Sequence, residues 1–450
     1  MAYDQGTKMN CRVLLGLVVL ALTGLPKPIA QATEDGSLGP DSWTTWSARK
    51  ALAPAVRFSK QPDTWTVQGN GKPMRHGGWD LNWTKLPEGE WHELSIDCRH
   101  SGIASIQDNA HVELIYWRAD GKRADWRHVG FAQSTEGRLR YSAKMPVPAN
   151  AVRATARLML RWTGKGKLAF SGVNLRTIER PERHRIKTAI ITGKPPGNSL
   201  EANVAFAEKL VREAARRGAQ VICLPEVVTT WRIKAGAEEI AETIPGPQTR
   251  RFARLARDLN VDINFSMHEI DAEGLIYNTA VYFDARRGLI GKYRKVHLAV
   301  GERWKGITPG DSFPVWETRF GKAGMLVCYD NVHPEGHRIL SQKGAKVIFL
   351  PIMGDPRAVG SRAYEKWLQI MCVRAMDNHV WMVVCQNNGD RGVIIRPDGE
   401  VITEVDPGDG FAMAEIDMNF RHASWIGSDF LNRNWGERRP MVYRDLIEDR

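Results

Sequence analysis

Residues 324–338 read GMLVCYDNVHPEGHR. A short apolar run ends at Cys328, and polar residues and a proline follow at once. Such a run predicts a buried strand. The thiol is then delivered at the strand's carboxyl end, where open α/β sheets build their sites. Two other stretches share this grammar. QVICLPE (220–226) ends an apolar run on Glu226, and GKYRKVHL (291–298) presents Lys295 after a strand-like segment.

The surrounding chain alternates in kind. KTAIITG (187–193), VDINFSMHEI (261–270), KVIFLPI (346–352) and VWMVVCQNN (380–388) read as strands. SLEANVAFAEKLVREAARRGA (199–219) places apolar residues at helical spacing, with Gly218 suited to its end. TRRFARLARDLN (249–260), EGHRILSQKGA (335–345) and YEKWLQIMCVRAMDN (364–378) also read as helices. NTAVYFDARRGLIGKYRKVHL (278–298) is a strand, a turn and a strand. Apolar strands alternating with helices predict a layered α/β architecture.

Residues 33–180 follow another pattern. They hold nine of the sixteen tryptophans, and segments such as HVELIYWRADG (111–121) and ATARLMLRWTGKGKLAF (154–170) alternate apolar and polar residues between Gly, Asp, Asn and Pro. This predicts short antiparallel strands in a β-sandwich. KMPVPANAVRATARLML (144–160) followed by GKLAFSGVNLRTI (166–178) resembles the last strands of jelly-roll carbohydrate-binding modules. Trp79, Trp83 and Trp91 are candidate sugar-stacking rings or sandwich core. RTIERPERHRIK (176–187) reads as a linker between a front domain, 33–180, and a second domain, 186–450.

The three reactive side chains make a coherent set. A thiol needs a base to become a strong nucleophile. A carboxylate in a dry pocket serves as that base, and a buried ammonium steadies the oxyanion of a tetrahedral intermediate. LPEVVTTW, YRKVHL and VCYDNVHPEGHR resemble, in this order, the three motifs of the nitrilase, or carbon–nitrogen hydrolase, superfamily. YNTA (277–280), LP (350–351), RAMDN (374–378) and IIRPDGEVI (394–402) support the resemblance.

It implies an α-β-β-α sandwich, commonly doubled by dimerisation, so a homodimer or larger homo-oligomer is expected. It implies Glu226 as general base, Cys328 as nucleophile, and Lys295 with the Tyr329 N–H as oxyanion donors. Glu302 would hold the lysine and orient substrate. His333, Trp231 and Arg357 are further candidates for contact with substrate, with Arg362 and Trp381 behind them. The segment 228–246 is expected as a loop over the cleft.

The family acts on amides, N-carbamoyl compounds and, in one branch, nitriles. Tyr329–Asp330 stands where true nitrilases usually carry Trp–Glu, which favours a small-molecule amide or carbamoyl substrate. A nitrilase, or a carbohydrate-binding protein whose hydrolase domain trims amides of a bound polysaccharide, are the alternatives. His333 and His337 lie four apart, but Pro334 and Gly336 argue against a regular helix through them and HExxH spacing is missing. No metal or other cofactor is expected.

Lys8 and Arg12, the apolar run 13–25 and Ala30-x-Ala32 form a signal-peptide pattern, with cleavage expected after Ala32. The run is too short for a comfortable membrane span. Export to a periplasmic or extracellular space follows, with no membrane span after cleavage. Five cysteines then remain, an odd number, in no disulfide-framework or zinc spacing. The net charge of +12 is spread along the chain and no nucleic-acid motif accompanies it, so nucleic acid is not an expected partner. The stretch after Asp417, rich in Arg, Asn and Trp, is a candidate subunit interface.

Overall fold

The computed structural model describes residues 38–135, 137–354, 362–387, 391–405, 410–420 and 436–446. The signal-peptide pattern lies outside the described residues. Among the described residues, no helix is long and apolar enough to cross a membrane.

The front region is built from two antiparallel sheets. One has five strands, in the order Ser42–Ser47, Arg75–Trp83, Arg153–Thr163, Ala110–Trp117 and Arg123–His128. The other has six, in the order Ala55–Ser59, Thr64–Gln68, Lys167–Ile178, Trp91–Ser101, Arg138–Pro146 and Phe131–Thr135. Period-two alternation drives their packing. Ala154, Ala156, Leu158 and Leu160 point into a shared core with Leu81, Leu94, Ile96, Phe170 and Leu175. Trp79 and Trp83 belong to that core. Their indole N–H groups donate to Thr66 O (3.0 Å) and Leu38 O (2.9 Å), so neither ring is free for a sugar.

Lys167–Ile178 and Arg185–Ile191 are both strands, so the covalent link between the two regions is only residues 179–184. Two six-stranded mixed sheets follow. The first runs Gly288–Arg294, Ile276–Asp284, Asp262–Ile270, Val221–Cys223, Arg185–Ile191, Phe411–Asp417. The second runs Val315–Thr318, Gly321–Met325, Val347–Ile352, Trp381–Gln386, Val393–Ile395, Val401–Glu404.

Alternate residues on each strand face opposite layers. Ile190, Val221, Cys223 and Tyr282 meet the second sheet's Val347, Phe349 and Val383 in a central core. Ala189, Ile222, Ile263 and Phe265 pack outward on helices Leu200–Arg216 and Pro247–Leu259 through Val204, Val211, Phe252 and Leu255. Leu340 and Met371, from helices Pro334–Gln342 and Arg362–Asn378, join the central core cluster through the second sheet. The result is four layers, α-β-β-α.

Local signals set the helix ends. Ser199 Oγ accepts from Ala202 N (3.1 Å), an N-cap. Gly218 ends that helix with a φ of +90°. Helix Pro334–Gln342 starts after His333, its extended N-cap, so of the two histidines of HPEGH only His337 is helical, as Pro334 led the sequence to suggest. Pro334 starts it, where no N–H is needed. Gly336 is accommodated because a Cβ there would meet Phe313 Cε1 at 2.9 Å and Leu326 Cδ2 at 3.1 Å. Close packing outweighs weak helix propensity.

Candidate active site

The strand Val221–Cys223 hands the chain to Leu224, Pro225 and then Glu226, which is 3% exposed. Asn387 Nδ2 donates to the Glu226 carbonyl (2.8 Å) and Val227 N donates to Ser266 Oγ (3.0 Å). Val227 takes a φ of 42°. A β-branched residue seldom adopts that conformation. Strain on the order of 1–3 kcal/mol is held in place by these flanking bonds.

Cys328 repeats the device. Gly321–Met325 carries the chain to Leu326 and Val327, and Cys328 then turns with a φ of 46° into a short 3-10 turn, Cys328–Val332. Lys295 follows strand Gly288–Arg294. Its N–H donates to Asn278 O (2.9 Å) and its carbonyl accepts from Gly310 N (2.8 Å), and the residue is 1% exposed. Glu302 lies on the short helix Val300–Trp304 and caps it, Oε2 accepting from Ala299 N (2.8 Å).

These segments converge. Lys295 Nζ donates to Glu226 Oε1 (3.0 Å) and to Glu302 Oε2 (2.7 Å). Asn278 Nδ2 donates to the same Glu226 Oε1 (2.7 Å) and to Glu302 Oε1 (2.8 Å). Two carboxylates thus share one ammonium and one amide. Met353 N donates to Glu226 Oε2 (2.7 Å), and the Cys328 thiol is hydrogen-bonded to Glu226 and to the Met353 backbone.

Burial works against the charge on Lys295, but Glu226, Cys328 and Glu302 outweigh it and raise the ammonium's pKa. For Cys328 burial is the chief cause of an upward shift. The Glu226 charge adds to it, and Lys295 and the Met353 backbone do not offset it. Burial and the neighbouring carboxylate both favour the protonated form of the Cys328 thiol. The arrangement suits proton transfer to Glu226 as the sulfur attacks, with Lys295 within reach of the new oxyanion.

The other sequence candidates are distributed unevenly. Tyr329, next to the thiol, is 41% exposed, and its ring meets that of His333 edge-on. His333 stacks on His297 with centroids 4.0 Å apart. Trp231 is 2% exposed, and Asn203 Nδ2 donates to its carbonyl (2.9 Å). It is packed into the turn after Glu226, as are Val228, Thr229 and Thr230 at the start of segment 228–246. Trp381 is buried in its strand, with Nε1 donating to Asp417 O (2.9 Å). Arg357 lies outside the described residues.

His337 is buried in its helix, its Nδ1 3.3 Å from His333 O. Among the described residues, no group of three or more His, Cys, Asp or Glu side chains is placed to hold a metal ion, and the five cysteines are free. Sequence reasoning gave no role to Asn278, Asn387 or Asp330. For Asn278 and Asp330 the signal was present, inside YNTA and VCYD.

Comparison with known proteins agrees with this geometry. The family model described as carbon–nitrogen hydrolase matches residues 187–423, just over half the chain. A nitrilase of Pyrococcus abyssi is 34% identical over 57% of this chain and 99% of its own length. An omega-amidase of Xenopus tropicalis is 31% identical over 48% of this chain and 84% of its own. An N-carbamoylputrescine amidase of Arabidopsis thaliana is 28% identical over 56% and 91%. The motifs, the four-layer fold and the family match coincide on the same residues, and the chain belongs to the carbon–nitrogen hydrolase family.

Proposed function

We propose that this carbon–nitrogen hydrolase is a thiol amidase that cleaves a small-molecule amide or N-carbamoyl compound through a thioester on Cys328. The observation that carries the reading is the convergence of Lys295 Nζ and the Cys328 thiol on the Glu226 carboxylate. As the Cys328 sulfur attacks the carbonyl carbon, its proton passes to Glu226. The oxygen gains charge beside Lys295 and the Tyr329 N–H. Collapse breaks the C–N bond, and Glu226 returns the proton to the departing nitrogen, releasing ammonia or an amine. Water then gives a proton to Glu226 and attacks the thioester, freeing the acid and restoring the thiol. Glu302 and Asn278 hold the ammonium and the base in register throughout.

Tyr329–Asp330 after the nucleophile supports amide or carbamoyl substrates over nitriles. The front region serves in this reading as a structural module, because Trp79 and Trp83 are core and Trp46, Trp117 and Trp162 each lie under an arginine. Export with cleavage after Ala32 is part of the proposal, checked by N-terminal sequencing of the native protein. So is a homo-oligomer. Ile370, Val373 and Met376 are exposed at helical spacing on Arg362–Asn378, and such a stripe favours self-association.

The test is ammonia release from a panel of amides, N-carbamoyl amino acids and nitriles by wild type and Cys328→Ala. Release by wild type alone is expected, from amides or carbamoyl compounds. Equal release by both would remove Cys328 from the mechanism.

A further inference from the structure

Asp330 lies two residues after the nucleophile and is 1% exposed. Its carboxylate receives four donors. Oδ1 accepts from His297 N (2.9 Å) and from His297 Nδ1 (2.8 Å), which fixes the proton of that imidazole on Nδ1. Oδ2 accepts from Tyr293 Oη (2.7 Å) and from Val327 N (2.9 Å). Tyr293 Oη also accepts from Val296 N (3.2 Å).

The donors come from two segments. Tyr293 and His297 bracket Lys295 in sequence, and Val296 follows it directly. Val327 precedes Cys328, the residue with the left-handed backbone. One buried carboxylate therefore ties the turn bearing the ammonium to the turn bearing the thiol. The bond from Val327 N lies immediately before the unfavourable φ of Cys328, where a slack turn would relax toward an ordinary conformation.

We infer that Asp330 is a positioning residue: its carboxylate links the Cys328 turn to the Lys295 turn and so holds thiol, ammonium and Glu226 at reacting distance. The inference rests on the proposed role of Cys328 as nucleophile.

Asp330→Asn tests it selectively. The asparagine keeps one acceptor oxygen for His297. Its NH2 group, however, faces the Val327 N–H, and two donors cannot bond. The turn bearing Cys328 is released while the shape of the side chain is kept. Two quantities are read on the folded protein, verified by circular dichroism and its melting temperature. One is the pH profile of iodoacetamide alkylation mapped to Cys328, which needs no substrate. The other is kcat and KM on the amide that wild type hydrolyses.

In the variant the thiol leaves the burial and the Glu226 charge that keep it protonated. Its alkylation profile is expected to move down in pH, toward that of an ordinary free cysteine. Turnover is expected to fall about tenfold or more, with KM near wild type, as misplacement of a reacting group predicts. A folded Asp330→Asn in which either quantity stays at its wild-type value overturns the proposal. Should that variant not fold, Tyr293→Phe removes one donor only. A smaller shift in the same two directions supports the link, and wild-type values in both overturn it. Equal ammonia release by wild type and Cys328→Ala would remove the nucleophile reading, and this proposal with it. That result differs from a wild-type-like Asp330→Asn, which removes Asp330 alone.

Discussion

The front sandwich and the candidate site of the α/β hydrolase region both bury ionisable side chains, and they treat them oppositely. In the front, His92 sits between Tyr116 Oη (3.1 Å) and Pro87 O (3.0 Å), and His111 stacks on His128 with centroids 4.5 Å apart. Burial lowers the pKa of all three, His111 and His128 well below the usual histidine range. Arg161 donates to the carbonyls of Asp108 (3.1 Å), Gln107 (3.3 Å) and Gly436 (2.5 Å), and burial brings it down to about 10. These groups are driven toward neutrality or spent on backbone carbonyls. In the hydrolase region the buried Lys295 is kept charged by two carboxylates, one of which, Glu226, also meets a thiol. A buried titratable group is therefore weak evidence of a site. Opposite charges converging at strand ends on a nucleophile are strong evidence.

That contrast is most exposed to Lys295→Met. Turnover should drop by about 10²–10³ or more, the effect of losing an oxyanion donor. Stability should fall by about 3–5 kcal/mol, because Glu226 would remain buried, and Glu302 half-buried beside it, without their cation. Thermal melting and ammonia release read the two together, and a variant as stable as wild type would break the comparison. A front-region counterpart is Trp83→Ala. It should cost about 3–5 kcal/mol through the cavity it leaves. Turnover per folded molecule should stay at the wild-type value, and a fall in kcat beyond the folded fraction would couple the regions.

The smallest expected effect concerns acid. His337 has its pKa lowered to about 3 by burial, with the Arg374 charge adding to it. An unfolded histidine takes up a proton near pH 6.5, so the folded state loses ground as pH falls below that value. The loss continues down to about pH 3 and then levels off. The contribution is complete above pH 6.5. Melting temperature followed from pH 7.5 to 4 should be flatter in His337→Gln than in wild type, by up to about 1.4 kcal/mol per pH unit. An unchanged slope would show that His337 is not buried neutral.

The sequence displayed what is local and periodic. The helix from Leu200 to Arg216, the strands flanking Glu226, Lys295 and Cys328, and the alternation of the front strands were all legible. Three reactive residues at strand ends were legible together with their motifs. What escaped depended on distant partners. Asn278 reaches Glu226 across 52 positions; YNTA marks the residue, but not which carboxylates its amide joins. Trp231 follows the base closely in sequence, but its anchoring through the carbonyl by Asn203, 28 positions away, had no local signal. Trp79 and Trp83 read as core more readily than as a binding platform, and their indole partners decide it. Helix Pro334–Gln342 was legible despite its glycine, but the close approach of Phe313 and Leu326 at Gly336 was not.

One feature of the chain's course bears on how it can be cut. Gly436 offers its carbonyl to Arg161, where a Cβ would meet His128 Cδ2 at 2.5 Å, and Met441 N donates to Asp108 Oδ2 (3.2 Å). The chain leaves the sandwich once, through residues 179–184, and comes back to it near its far end. The two regions are thereby joined twice, once covalently and once by docking. A protease that nicks 179–184 would yield two fragments on a denaturing gel but one particle on a sizing column.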